Sequence, residues 1–197
     1  MCGILVSIES GDAVVQEHNE FTPWIASRGP DSLQTHKVAV RTDSGSASLT
    51  FTSSVLHLRG REITVQPLVS AGGDVLCWNG ELWKGLVIKD DENDGLKLLE
   101  TLSGTSEVWK VIERIEGPWA LVYFSAKEKK IWYGRDCLGR RSLLRKRTSV
   151  GGLLLSSIGV DMEGWEEIEV DGLWCLDLDE WCAPQGKVRN RYWKVSC

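Results

Sequence analysis

No stretch of this 197-residue chain approaches the roughly 18 consecutive apolar residues that a membrane-crossing helix requires, so no membrane partner is expected. Positive charge is not in excess either. Lys+Arg 23 against Asp+Glu 28 gives a net charge of −5, whereas nucleic acids and anionic membranes are bound through a basic face, so no nucleic-acid partner is expected. Histidine is scarce, with three residues scattered at 18, 36 and 57, and none of the six cysteines (2, 77, 137, 175, 182, 197) sits in a C-x-x-C pair. The clustered ligand spacing of a zinc site is therefore missing, and neither a metal nor a cofactor is expected. The opening run Met1-Cys2-Gly3-Ile4-Leu5-Val6-Ser7-Ile8 lacks the basic segment and small-residue cleavage site of a secretion signal. The expected location is cytoplasmic, with thiols reduced and mostly buried.

What is present is the composition of a globular protein, 42% hydrophobic and 26% charged. One domain over residues 1–197 is expected, since a chain of this size buries about 70% of its unfolded surface without needing a staple. Ten tryptophans are read first as core residues. Short apolar runs punctuated by Gly and Ser predict strands over residues 3–8, 36–41, 47–58, 74–78, 153–156 and 173–178. Residues 118–125 and 130–135, joined by Ala-Lys-Glu-Lys, predict a hairpin. Residues 12–26 predict a helix broken near Pro23. Leu96, Leu99 and Leu102, then Val108, Ile112 and Ile115, recur at three and four, which predicts two consecutive helices separated at Gly104. Sheets with clustered helices on one core make an α+β architecture.

The second residue carries the first chemical signal. Removal of an initiator Met before a small residue would leave Cys2 with a thiol and a free α-amine a few ångströms apart. A model amine titrates near 7.7–8.0, so a fair share is neutral at physiological pH and serves as a general base without any histidine. By itself the signal is weak, because a small residue at a strand start reads the same way. Ser27-Arg28-Gly29-Pro30-Asp31 reads as a rigid turn at a helix stop. Arg59 or Arg61, at the end of an apolar strand, suits a carboxylate, or is a solvated strand end. Asn79-Gly80 in Trp78-Asn79-Gly80-Glu81 is first of all a hairpin turn, yet an amide donor beside an unshielded glycine N–H is also what an oxyanion hole uses. Asp94, just before a helix, reads as an N-cap or as a carboxylate facing a ligand ammonium.

Taken together and in order, Met1-Cys2-Gly3-Ile4, Arg28-Gly29-Pro30-Asp31, Leu58-Arg59, Asn79-Gly80-Glu81 and Asp94 resemble the class II glutamine amidotransferases, the N-terminal nucleophile family. Trp78-Asn79-Gly80-Glu81-Leu82-Trp83, Gly117-Pro118-Trp119-Ala120 and the run from Gly134 to Leu144 look like the amidotransferase half of asparagine-synthetase-domain proteins. The resemblance implies a four-layer αββα sandwich with two stacked antiparallel sheets. It implies L-glutamine as substrate, Cys2 as nucleophile with its own α-amine as base, and Asn79 with the Gly80 N–H as the oxyanion hole. Arg59 would hold the α-carboxylate, and Glu81 with Asp94 the α-ammonium. These roles agree with charge logic.

Two pairs depart from the asparagine synthetase pattern: Arg141-Ser142 stands where Lys-Pro is usual, and Ser156-Ser157 where Ser-Glu is usual. Both are expected to lie outside the glutamine pocket. The six Lys/Arg between residues 135 and 147 read as a solvated turn ahead of a contact surface for another domain. The ATP-pyrophosphatase loop Ser-Gly-Gly-x-Asp-Ser is absent, and the Gly-Gly pairs at 72–73 and 151–152 are not set in it. The chain is thus expected to release ammonia for an asparagine-synthetase-like domain in cis or in trans. The alternatives are a catalytically silent interaction or regulatory module of the same fold, and another N-terminal nucleophile amide hydrolase.

Overall fold

The computed structural model describes residues 1–11, 18–57, 62–89, 91–161, 163–170 and 172–183. Strand β1 (Gly3–Ser10) explains the arrangement of the layers. Ile4, Val6 and Ile8 join one apolar cluster and Leu5 another, so the strand is covered on both faces and reads as a continuous apolar run rather than an alternation. It pairs antiparallel along its whole length with β3 (Gly45–Val55), from Gly3↔Ser54 to Ser10↔Ala47, and β3 in turn pairs with β2 (Ser32–Thr42). On its other side run β9 (Leu153–Ser156), β8 (Leu144–Arg147) and the two-residue β10 (Glu166–Glu167), giving a six-stranded sheet in the order β10-β8-β9-β1-β3-β2.

The second sheet holds β4 (Leu68–Val69), β5 (Val75–Gly80), β6 (Trp119–Ser125), β7 (Lys130–Arg135) and β11 (Leu173–Asp177), in the order β11-β7-β6-β5-β4. Its residues alternate between two cores, as the two-residue period of a strand dictates. Val75, Cys77, Val122, Phe124, Ile131 and Tyr133 meet the β1 and β3 side chains between the sheets. Leu76, Trp78, Leu121, Tyr123 and Trp132 face the helices α2 (Asp94–Ser103) and α3 (Val108–Ile112), which bury Leu98, Leu99, Leu102, Val108 and Ile112 against them. On the outer side of the first sheet, Phe21 and Ile25 of a 3-10 turn (Asn19–Phe21) and helix α1 (Thr22–Arg28) cover Leu5. The order helix, sheet, sheet, helix is the expected αββα sandwich. Among the described residues no helix is long and apolar enough to cross a membrane.

Several elements differ from the sequence reading for local reasons. Of the helix expected over residues 12–26, residues 12–17 lie outside the described residues; Pro23 sits in the first turn of α1, where its missing N–H costs nothing. The run 173–178 ends as a strand at Asp177, whose carboxylate accepts from Asp179 N (3.0 Å) and Glu180 N (3.3 Å) and so starts the short helix α4 (Leu178–Trp181). The short strands β4, β8 and β10 carry too few apolar residues to announce themselves.

Candidate active site

The N-terminus is fixed by what lies next to it. Gly3 N donates to Ser54 Oγ (3.0 Å), and Ser54 Oγ donates on to Ile25 O. A Cβ at Gly3 would stand 2.5 Å from Ser54 Oγ, so the strand start admits no larger residue. Ile4 N donates to Ser157 Oγ (3.0 Å), and Ser157 N donates back to Ile4 O (2.9 Å). Cys2 is a free, half-buried thiol whose carbonyl accepts from Arg28 Nε at 3.4 Å. Burial holds the Arg28 guanidinium below its ordinary value, the Cys2 charge works in the opposite sense, and Arg141 adds to the lowering. Cys77 and Cys175, by contrast, are pushed up to about 12 by burial and are chemically inert near neutral pH.

Asn79 and Gly80 are not a hairpin turn. They end β5 and pair with Ala120 and Trp119 of β6. The alternation along β5 turns the Asn79 side chain to the inter-sheet core that Val75 and Cys77 share with Ile4 and Val6 of β1. There Asn79 is 2% exposed, and among the described residues its Nδ2 has no hydrogen-bond partner. Buried amide donors are rarely left unpaired.

The Gly80 N–H is set up by the ladder. Glu81 N donates to Pro118 O (3.0 Å), which makes Gly80 and Trp119 a non-hydrogen-bonded pair and directs the Gly80 N–H away from β6. On that edge Trp78 N donates to Gln66 Oε1 (2.7 Å) and Leu82 N to Asp94 Oδ2 (3.1 Å), bracketing the Gly80 amide. A Cβ at Gly80 would lie 2.7 Å from Pro118 O, so only glycine fits.

Asp94 thereby ties the first turn of α2 to the end of β5, its other oxygen accepting from Gly95 N at 2.8 Å. The N-cap is its neighbour Asn93, whose side chain accepts from Leu96 N (3.1 Å), one residue earlier than the sequence suggests. Glu81 is exposed beside it. Arg59 and Arg61 lie outside the described residues. At the end of β3, His57 N donates to Asp31 Oδ2 (2.7 Å) and Asp31 N to Val55 O (3.1 Å). Gly29 makes this crossing possible: a Cβ there would be 2.4 Å from the Val55 carbonyl carbon.

One buried carboxylate connects the Asn79–Gly80 strand to the N-terminus. Asp136 is 2% exposed and accepts from Trp119 N (3.0 Å), Leu138 N (3.1 Å), Arg140 N (3.1 Å) and Arg140 Nε (2.9 Å). Arg140 also donates to Gly117 O (2.8 Å) and lies 5.1 Å over the Trp83 ring. Next in the chain, Arg141 Nη1 stands 3.6 Å from Met1 Sδ. Trp119 pairs with Gly80, so short contacts run from the oxyanion candidates to the first residue of the chain.

The basic stretch is therefore not a solvated turn. Arg135 pairs with Glu167 (2.6 Å), Arg145 with Glu166 (2.9 Å) and stacks on Trp174, and Arg147 stacks on Trp181. Sequence reasoning missed Arg141, Ser142 and Ser157 as neighbours of the N-terminus, having placed the two pairs that contain them away from the pocket. Their departure from the usual pattern was the available signal. Among the described residues no group of three or more His, Cys, Asp or Glu is placed to hold a metal ion.

A family model described as a glutamine amidotransferase domain matches residues 1–160. The asparagine synthetase domain-containing protein 1 of Bos taurus is 33% identical over 204 residues, covering 99% of this chain and 31% of that protein. The protein of the same name from Homo sapiens is 36% identical over 188 residues, covering 90% of this chain and 28% of that protein. The chain thus spans less than a third of the length of these curated relatives. Among solved structures, a glutamine phosphoribosylpyrophosphate amidotransferase from B. subtilis matches with a TM-score of 0.61 at 14% identity, over 88% of this chain and 47% of that one. An allosteric regulatory enzyme of purine biosynthesis matches with a TM-score of 0.64 at 13% identity, over 95% of this chain and 48% of that one. At these identities the two structures bear on the fold alone, which this chain shares with the matched part of each.

Proposed function

The chain belongs to the glutamine amidotransferase domain family, and on that premise we propose that it hydrolyses L-glutamine to glutamate and ammonia through a Cys2 thioester. The observation that carries this reading is the buried Asn79 amide, without a partner among the described residues, at a strand end beside a glycine whose N–H is turned out of the ladder. A folded protein gains nothing from an unpaired buried donor, and an oxyanion that forms only during reaction supplies the missing acceptor.

In the proposed reaction Met1 has been removed. The Cys2 α-amine takes the thiol proton, and Sγ attacks the side-chain amide carbon of glutamine. The resulting oxyanion accepts from Asn79 Nδ2 and Gly80 N–H. Collapse of the intermediate breaks the C–N bond, and the proton on the amine goes to the leaving nitrogen, releasing ammonia. Water then cleaves the thioester by the same steps in reverse order, yielding glutamate. Asp94, fixed between α2 and Leu82 N, and Glu81 beside it supply negative charge for the substrate ammonium; Arg59 supplies the positive charge for its carboxylate. The ammonia acceptor in this reading is an asparagine-synthetase-like domain, in cis or in trans, as the names of the relatives suggest.

The test is the intact mass of the purified chain before and after exposure to a diazoketone analogue of glutamine, together with ammonia release. Loss of Met1, one adduct on Cys2 and no ammonia from Cys2→Ala are the expected results. A retained Met1, or a processed chain that takes no adduct with or without a synthetase partner, makes the silent interaction module the better reading.

A further inference from the structure

A cleft of about 520 Å³ opens between β8 of the first sheet and Tyr133 and Trp174 of the second. It is separate from the candidate active site. Arg147 pairs with Leu153 and Leu153 with Ile8, five residues along β1 from Gly3, so this part of β8 lies about 17 Å along the sheet from the start of β1. Strand alternation puts Arg145 and Arg147 on one face of β8. That face meets the second sheet, with Arg145 4.6 Å over the Trp174 ring and Arg147 4.5 Å over the Trp181 ring. Tyr133 and Trp174 are neighbours across β7 and β11, their rings 6.3 Å apart and within 10° of parallel.

The polar groups of this cleft that lack a partner are donors. Tyr133 is fully buried, and among the described residues no acceptor meets its O–H or the buried Nε1–H of Trp174. Burial pushes the Tyr133 hydroxyl up to about 12 while Arg145 and Arg147 pull the other way, so both guanidiniums face it. A guanidinium and an indole only donate, so neither can take the phenol proton. The charges are unevenly matched. Arg145 is held by Glu166 (2.9 Å) and Glu169 (3.8 Å), and Lys146 by Asp161 (4.0 Å). Asp177 and Asp179, near Trp181 in the chain, face Lys130 and Lys129. Arg147 is exposed, donates to Gly151 O (3.4 Å), and has no carboxylate partner among the described residues.

We propose that this cleft binds a small molecule through an oxyanion, carboxylate or phosphate, which accepts from Tyr133 O–H and Trp174 Nε1–H and faces the Arg147 charge. Its volume is that of a small-molecule site, with apolar and aromatic walls and a few converging polar groups. A charged acceptor makes a stronger bond to such donors than a neutral one, and it also answers the guanidinium that lacks a counter-charge. The site does not depend on the removal of Met1 or on the chemistry of Cys2.

The experiment is isothermal titration calorimetry of the full chain with inorganic phosphate and, separately, with malonate, each in about 150 mM sodium chloride. Wild type, Tyr133→Phe and Arg147→Glu are compared. At least one anion is expected to bind with a Kd below about 1 mM, and the tighter of the two tells a phosphorylated ligand from a carboxylic one. Tyr133→Phe removes one donor to a charged acceptor and is expected to weaken binding about tenfold. Arg147→Glu reverses the exposed charge and is expected to weaken it at least as much. Because Arg147 is exposed, that variant carries the test should Tyr133→Phe not fold. No binding of either anion up to about 20 mM overturns the proposal. Binding that neither variant weakens also overturns it, since the anion then sits elsewhere, as on Arg59 in the candidate glutamine pocket.

Discussion

Asn79→Ala removes a carboxamide that is 2% exposed and whose Nδ2 has no hydrogen-bond partner among the described residues. Two stability effects oppose each other. The lost carboxamide volume of about 25 Å³ is worth about 0.6 kcal/mol at about 24 cal/mol per Å³ of cavity. Against this, removing a buried donor that was unpaired relieves a desolvation cost of about 1–3 kcal/mol. The net change is within about 2.5 kcal/mol of zero, so the Tm of a chain this size moves by less than about 10 °C in either direction. Catalysis has no such offset. Loss of one oxyanion donor costs about 2.7–4 kcal/mol of transition-state stabilisation, or roughly 10²–10³ in turnover. The assay is ammonia release from glutamine at saturating substrate, beside a thermal melt of the same preparation. The reasoning predicts a large fall in turnover with KM little changed and a Tm near wild type. A turnover within threefold of wild type refutes the oxyanion role. A collapse of Tm matching the loss of activity would show that the amide serves the fold instead.

Two further outcomes follow from the packing. Asp136→Ala strips the acceptor from three backbone amides and leaves the Arg140 guanidinium short of its buried counter-charge, so a loss of about 3–5 kcal/mol in urea unfolding is expected; a loss under about 1 kcal/mol contradicts the hub role. Cys77 and Cys175, from about 9.0, and Tyr123 and Tyr133, from about 10.0, are all raised to about 12, chiefly by burial. The unfolded chain ionises these groups first as pH rises, so their contribution to stability is complete below about pH 9 and is lost between about pH 9 and 12. Urea midpoints taken across that range are expected to fall steadily, and a flat profile refutes the burial assignment.

The helix of residues 94–103 was legible from its recurring leucines, although the face it buries is Leu98, Leu99 and Leu102, and Leu96, which the spacing grouped with them, is 49% exposed. Residues 3–8, 118–125 and 130–135 were legible as apolar runs, because strands buried on both faces need no alternation. The Asn79-Gly80 pair could not be resolved locally. The same dipeptide makes a tight turn or ends a strand, and the choice rests on Pro118 and Trp119 some forty residues away. The basic run 135–147 misled for a related reason. Its solvation depends on Glu166, Glu167, Trp174 and Trp181, which arrive only through sheet order.

Sequence by itself determined the family, the glycines at 29 and 80 and the chemical cast of the candidate site, because side-chain identity and order along the chain are properties of the polymer. Tertiary structure alone decided that Asn79 is buried with an unspent donor, that Asp94 reaches across to Leu82 and that Asn93 caps the helix. It alone decided that Arg141 stands at the first residue of the chain. Burial, unpaired donors and the pairing of charges are relations between residues far apart in sequence, and they acquire values only when the two sheets close on each other.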